Sequence, residues 1–462
     1  ALDNHKYGGY QPYVFNSTDK GKTWKSITSN LPDRTLTWRI IQDHVDKSLL
    51  FAATEYGIYF TVNGGGTWSK LNGGVPTISF RDLAIQKREN DLVGASFGRG
   101  FYVFDDISVF RGISKNQLQS EGTLFPVRKA WWYVKRPRLS FNDPWNGPKG
   151  SQGDGYFVAP NPPFGAVFTY HLGKGFETKK AKRQAEEKLA LSKKKSVGFP
   201  GWDVVETERR EVDPKIIFEV KNSEGDVVRR LNGPVTKGFH RVAWDLRYPS
   251  PNAVTKDNPS KISSGFLASP GNYTVTMYVQ QDGKLKRLSK SQPFEVVPLR
   301  DGALPTKSHG EIADFWRDYE NAVRQGSQLQ ISVSNALKQV NGMQTALDRS
   351  GAEVGDMDRL LHEIRKSLLD MDASLNGNRS RMGPGEKTIP NIGSRLFVIQ
   401  RIIEHSTYGP TETGLETLYL VQQSIVDLQA RLAENKKNLD QMSRRLAKSG
   451  APWVEGNPPL KK

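Results

Sequence analysis

Seven histidines are the first residues to test for chemistry: His5, His44, His171, His240, His309, His362 and His405. No pair stands at the i, i+4 spacing, with a glutamate beside the first, that would put two imidazoles on one helix face for zinc. Cysteine is absent, which excludes thiolate nucleophiles, zinc–thiolate sites and disulfides. No G-x-S-x-G elbow presents a serine. Gly64-Gly65-Gly66 leads into Thr67-Trp68, not into the lysine that a phosphate-cradling loop needs. Asp105 and Asp106 are adjacent; on one strand they would face opposite sides, so they cannot form the opposed carboxylate pair of glycoside hydrolysis. Arg39, Arg81 and Arg99 come from comparable segments, but no spacing gathers them into an anion clamp. His240 reads as a packed strand residue. The sequence thus names no catalytic residue, cofactor or metal ligand.

Two stretches have the composition for binding. Trp131, Trp132, Tyr133 and Trp145 stand among Lys129, Lys135, Arg136 and Arg138 in a Pro- and Gly-rich run. Aromatic faces beside cations suit a glycan or polyanion platform; the same side chains can instead pin a linker to its neighbour. The second stretch holds Lys179, Lys180, Lys182, Arg183, Glu186, Glu187 and Lys188, then Lys193-Lys194-Lys195. Its charge spacing suits a helix, with a thin apolar side at Ala181, Ala185, Leu189 and Phe176. It reads as a solvated excursion or as a contact to an anionic surface. The formal charge of +17 favours acidic partners. Without a nucleic-acid-binding motif, nucleic acid is not the expected one. Mean hydropathy is −0.58, and no apolar run is long enough to span a bilayer.

The elements that must position these residues are punctuated by a repeat. Ser17-Thr18-Asp19-Lys20-Gly21-Lys22-Thr23-Trp24 recurs 44 residues later as Thr61-Val62-Asn63-Gly64-Gly65-Gly66-Thr67-Trp68. The Asp or Asn can accept bonds from turn N–H groups. Gly21 and Gly65 supply a backbone angle that a side chain disfavours. Thr-Trp then opens the next strand. Both indoles are expected beneath their turns, with Asp19 and Asn63 bonded to turn backbone. The flanks repeat too: Leu49–Ala53 aligns with Leu92–Ser96, and Gly57–Phe60 with Gly100–Val103. A period of this length, built from short strands, predicts blades of a β-propeller. Residues 1–112 hold about two and a half blades, against the four to eight that close a ring. Ala1 opens inside such a unit. The remaining blades are therefore expected upstream in the same precursor, or on another chain.

The motif resembles the Asp-box, also called the BNR repeat, of sialidase-like and sortilin-like propellers. Further runs extend the likeness: Asp91-Leu92-Val93, Gly98-Arg99-Gly100, Asp105-Asp106-Ile107-Ser108, Asn161-Pro162-Pro163-Phe164, Trp244-Asp245-Leu246-Arg247 and Pro270-Gly271-Asn272-Tyr273. Together they resemble the C-terminal half of large secreted bacterial proteins with sortilin-like propellers, often labelled glycosyl hydrolases on repeat content. Ser96-Phe97 departs from the Thr-His pair expected there. The resemblance implies an extracytoplasmic binding or scaffolding protein, in the periplasm, on the cell surface or secreted. The alternative it leaves is a glycan- or peptide-directed hydrolase whose site lies in blades outside this chain.

The rest of the chain reads as three further parts, making a multidomain, mainly β plus all-α protein. Residues 113–160 are an aromatic connector. Residues 161–299 alternate as an immunoglobulin-like β-sandwich, interrupted by the charged insertion at about 174–212. Residues 300–450 carry heptads from Ile312 to Leu347 and from Leu415 to Leu446, predicting an antiparallel helical bundle. Gly326, Gln422 and Asn435 fall at its seam. Residues 451–462 read as an extended basic tail.

Overall fold

The computed structural model describes residues 1–135, 159–256, 264–300, 302, 306–382, 384–404 and 406–457. Arg136, Arg138, Trp145 and His405 lie outside them, as does the end of the tail. The fold mixes β-sheets and helices, and no helix among the described residues is long and apolar enough to cross a membrane.

Residues 1–112 form small antiparallel sheets in chain order. One joins Thr37–Gln42, Leu50–Thr54, Gly57–Thr61 and Ser69–Lys70; the next joins Phe80–Gln86, Asp91–Ser96 and Phe101–Phe104. Leu50–Thr54 is buried at every position. Side chains alternate across a strand, so this strand serves two cores. Phe51 and Ala53 pack forward with Phe80 and Leu92, while Leu50 and Ala52 pack backward with Val14, Leu31 and Trp68.

Both repeat turns have the geometry their residues dictate. Thr23 N–H donates to Asp19 Oδ1 at 2.9 Å, and Thr67 N–H donates to Asn63 Oδ1 at 2.9 Å. Gly21 N–H donates to Ser17 Oγ and Gly65 N–H to Thr61 Oγ1. Gly65 has φ +94, and a Cβ there would come within 2.7 Å of the Ile27 side chain of the preceding unit.

The two indoles part company. Trp68 is 3% exposed, whereas Trp24, expected to be buried, is 64% exposed. The turn is not the cause. Trp68 is covered by residues 14–31: its Nε1–H donates to Ile27 O, and Asn30 holds its backbone N–H and carbonyl. Trp24 has no preceding unit against it, and its Nε1–H turns back to Gly21 O.

The connector is less irregular than its composition predicts. Thr123–Leu124 pairs with Ala166–Leu172, and Ala130–Trp132 runs parallel to Gln292–Pro298. Two sheets then face each other over one core. The smaller adds Gly238–Trp244; the larger holds Lys215–Lys221, Val227–Gly233, Gly271–Gln281 and Gln292–Pro298. Phe168 and Phe218 stack between them, and Trp244 is fully buried with Nε1–H donating to Arg247 O.

The helices are α1 (Lys115–Gln119), α2 (Lys179–Ser192), α3 (Trp202–Arg209), α4 (His309–Leu347), α5 (Asp356–Asn376), α6 (Arg379–Met382), α7 (Ile392–Glu404) and α8 (Glu412–Lys448). The heptad positions of α4 from Ile312 to Leu347 are buried. In α8 the seam runs through Val421 rather than Gln422. Successive long helices run antiparallel, yet α4 and α8 run parallel to each other. Lys307 meets Glu412 at one end, and Gly351 N–H donates to Ser449 O at the other. The return stroke is split between α5 and α7: Gln330 of α4 bonds Asn376, and Tyr319 donates to Leu396 O.

Truncating a large buried side chain costs about 3–5 kcal/mol, while an exposed one is usually worth within about 0.5 kcal/mol. Urea unfolding should therefore show Trp68→Ala strongly destabilised and Trp24→Ala close to the parent chain.

Candidate functional site

The sheets of residues 161–299 meet the helices at a seam. Phe266 stacks on Trp316 of α4, with ring centroids 3.8 Å apart and planes at 17°, and meets Tyr319 edge-on. Beside this seam lies a cleft of about 410 Å³. Its walls include Tyr248, Tyr273 and Trp316, with Glu224, Asp226, Glu320 and Arg317 converging on it. Aromatic walls with a few convergent polar groups are the usual make-up of a ligand site. An acidic set in a chain of charge +17 is also unlike the bulk surface.

Burial raises the Glu320 carboxyl above the usual glutamate range, opposed by a bond from the Phe266 backbone. Glu320 Oε1 is buried with no hydrogen-bond partner among the described residues. Burial also raises Tyr248, reinforced by the charge of Glu320. The cleft can take a ligand that donates hydrogen bonds or carries positive charge. The sequence alone does not reveal it, because its groups are contributed by residues far apart in the chain.

A second cluster sits on the repeat sheets. Glu55 Oε2 accepts from Trp38 Nε1–H and Ser79 Oγ–H, both at 2.9 Å. The Arg81 guanidinium lies 3.7 Å from the Trp38 ring centre and 5.1 Å from that of Phe97. Arg39 pairs with Asp82. Two of the three singled-out arginines thus lie on neighbouring strands, each opposite a carboxylate, while Arg99 sits in a turn. The strand ends at Phe104, so Asp105 and Asp106 come after it rather than belonging to it. Asp106 caps a short 3-10 turn by accepting from Ser108 N–H. Burial raises the Asp105 carboxyl, with Asp91 adding to it.

The sequence-selected binding residues are dispersed. Trp132 Nε1–H donates to Ala268 O, and Trp131 Nε1–H faces Glu89 while Lys129 lies over its ring. Both indoles are thus engaged by neighbouring segments. Lys135 stands over Phe164. In α2, Arg183 forks onto Glu208 and also meets Glu187, while Lys179, Lys180 and Lys182 are exposed. Phe176 leaves this stretch for the sheet core. Asp19 is held down to about 2, chiefly by the Thr23 hydroxyl. His240 Nε2 lies 2.6 Å from Thr236 O, and burial lowers His171. Among the described residues, no group of three or more His, Asp or Glu could hold a metal.

No family model and no curated protein matches the chain. Among solved structures it is similar to the extracellular domain of a protein described as a one component system from B. thetaiotaomicron. Identity is 12%, coverage 62% of this chain and 28% of that one, and TM-score 0.17. It is also similar to the BSP domain of a biofilm associated protein, at 8% identity, 58% and 25% coverage, and TM-score 0.15. The match spans about a quarter of either structure's length.

Glu320 gives the cleft a pH signature. Its folded-state pKa lies above the unfolded one, so its contribution to stability is fully present below the ordinary glutamate range. That contribution is lost as pH rises through the folded value. Glu320→Gln should raise the thermal midpoint at neutral pH, the direction set by the raised carboxyl. At pH 4 the midpoint should be nearly unchanged.

Proposed function

We propose that this chain is an extracytoplasmic binding and scaffolding protein whose residues 1–112 are part of a larger β-propeller. The sheets of 161–299 form an immunoglobulin-like sandwich, and the helices of 300–450 a bundle, each offering interaction surface. The observation that carries this reading is the contrast between Trp24 and Trp68. Equivalent residues in equivalent turns differ because one has a neighbouring unit and the other has none.

The opposite end of the array supports the same reading. Phe101 is 77% exposed and Val103 57% exposed. With Ala84, Val93 and Ala95 they lie on the sheet face turned away from the core of Leu83, Leu92 and Phe104. Asp82 stands opposite Ala95 on this face, which is otherwise largely apolar, and exposed apolar patches of this kind are normally covered. The occupant proposed is further units of the same repeat, for Leu50–Thr54 shows how one unit is packed between two others. With no cysteine available, packing and strand pairing would have to hold them. An interface of this character should exceed about 2,000 Å².

Native purification followed by gel filtration and denaturing electrophoresis tests the proposal. The expected result is that this chain elutes with further repeat units, in one polypeptide or in two that co-elute. Elution as a folded 51.8 kDa monomer from its native source would overturn it. Turnover of a polysaccharide or peptide by the assembled protein would replace scaffolding with the hydrolase reading.

A further inference from the structure

The charged insertion folds as a helical hairpin whose two ends differ in chemistry. At its base, Arg183 of α2 makes paired bonds of 2.6 and 2.7 Å to Glu208 of α3. The backbone N–H of Lys179 donates to both carboxylate oxygens of Glu211. Glu206 is taken by Arg209 and Arg210. The base therefore engages Glu187, Glu206, Glu208 and Glu211 internally, while Glu186 and Asp203 are exposed.

The tip, residues 188–202, contains Lys188, Lys193, Lys194 and Lys195 and no carboxylate. It also exposes large apolar side chains: Leu189, Leu191, Val197, Phe199 at 63% and Trp202 at 78%. Phe199 and Trp202 meet edge-to-face at 4.9 Å and form one aromatic unit. Helix α2 buries no residue, so the hairpin has no core that these side chains serve.

We infer that this tip docks on an anionic lipid bilayer surface, with its lysines at the headgroups and Leu191, Phe199 and Trp202 at the acyl boundary. The charge complementarity is local, since the tip is uniformly positive while the base is neutralised. Basic residues beside Trp, Phe and Leu are the composition of interfacial membrane contacts. A polysaccharide or nucleic acid would match the lysines and could stack on the rings. It would leave Leu189, Leu191 and Val197 in water, whereas a bilayer removes them from it. The inference stands apart from the reading of residues 1–112, because the hairpin belongs to the sheets of 161–299.

Co-sedimentation of the full chain with vesicles tests it, using phosphatidylcholine alone and phosphatidylcholine mixed with phosphatidylglycerol. The chain should bind the mixed vesicles and not the neutral ones. Replacing Lys193, Lys194 and Lys195 by Gln should weaken binding about tenfold or more. The exposed pair Phe199→Ala and Trp202→Ala should weaken it as well, with unchanged circular dichroism. The Trp202 emission, taken as the difference from Trp202→Phe, should shift to the blue on binding. Mixed-vesicle binding that neither variant reduces would mean attachment by the general charge of the protein, and would overturn the inference. So would loss in the lysine variant only, since that is a polyanion site without insertion, or no binding at all.

Discussion

The packing of one repeat unit on the next is the interaction on which residues 1–112 depend. Trp68 is its clearest expression. The indole donates to Ile27 O, its backbone is held on both sides by Asn30, and Gly65 leaves room for the Ile27 side chain. A Cβ at Gly65 would enter that contact, so the left-handed glycine serves the turn and the interface together. The buried strand Leu50–Thr54 then transmits the contact, with Phe51 and Ala53 on one core and Leu50 and Ala52 on the other. A sheet with two covered faces needs a neighbour on each side, and the terminal units have one each.

The remaining parts are tied on by polar and aromatic contacts rather than by a continuous core. Arg128 Nη1 donates to Glu89 O, and Arg241 Nη2 to the Asp105 carbonyl, which joins the repeat sheets to the connector and to the sheets of 161–299. The next junction is apolar: Phe266, on the strand Ser264–Leu267, stacks on Trp316 and belongs to the helical core. The cleft beside that stack exists because a sheet edge and a helix cannot fill the corner between them. Glu320 is half-buried there, and its Oε1 is buried without a hydrogen-bond partner among the described residues. An unsatisfied buried polar atom of this kind costs stability, which makes the corner a functional candidate rather than a packing detail.

Much of this architecture is legible in the chain. The heptads of α4 predict its buried positions residue by residue because a long helix repeats one local geometry along its whole length, whichever of α5, α7 and α8 lies against it. The hydroxyl, Asp or Asn, and Gly of the repeat fix the turn for the same reason: all the bonds are local. The adjoining indole is different. Whether it is buried depends on the next unit, so the same motif yields a covered Trp68 and a bare Trp24. Gln422 and Val421 illustrate a smaller failure, since one residue of drift along α8 moves the seam. Helix α3 is not legible, because Val204 and Val205 among charges give no strong period. Nor is the cleft, because its acids come from a strand turn and a helix that only the fold brings together.

The most direct measurement is the solvent accessibility of individual indoles, by hydroxyl-radical footprinting of the chain alone and of its natively purified form. The account predicts that Trp68 is protected in both. Trp24 should be reactive alone and protected in the native form, with Phe101 changing in parallel. Trp24 equally reactive in both would contradict the claim that a further unit covers it.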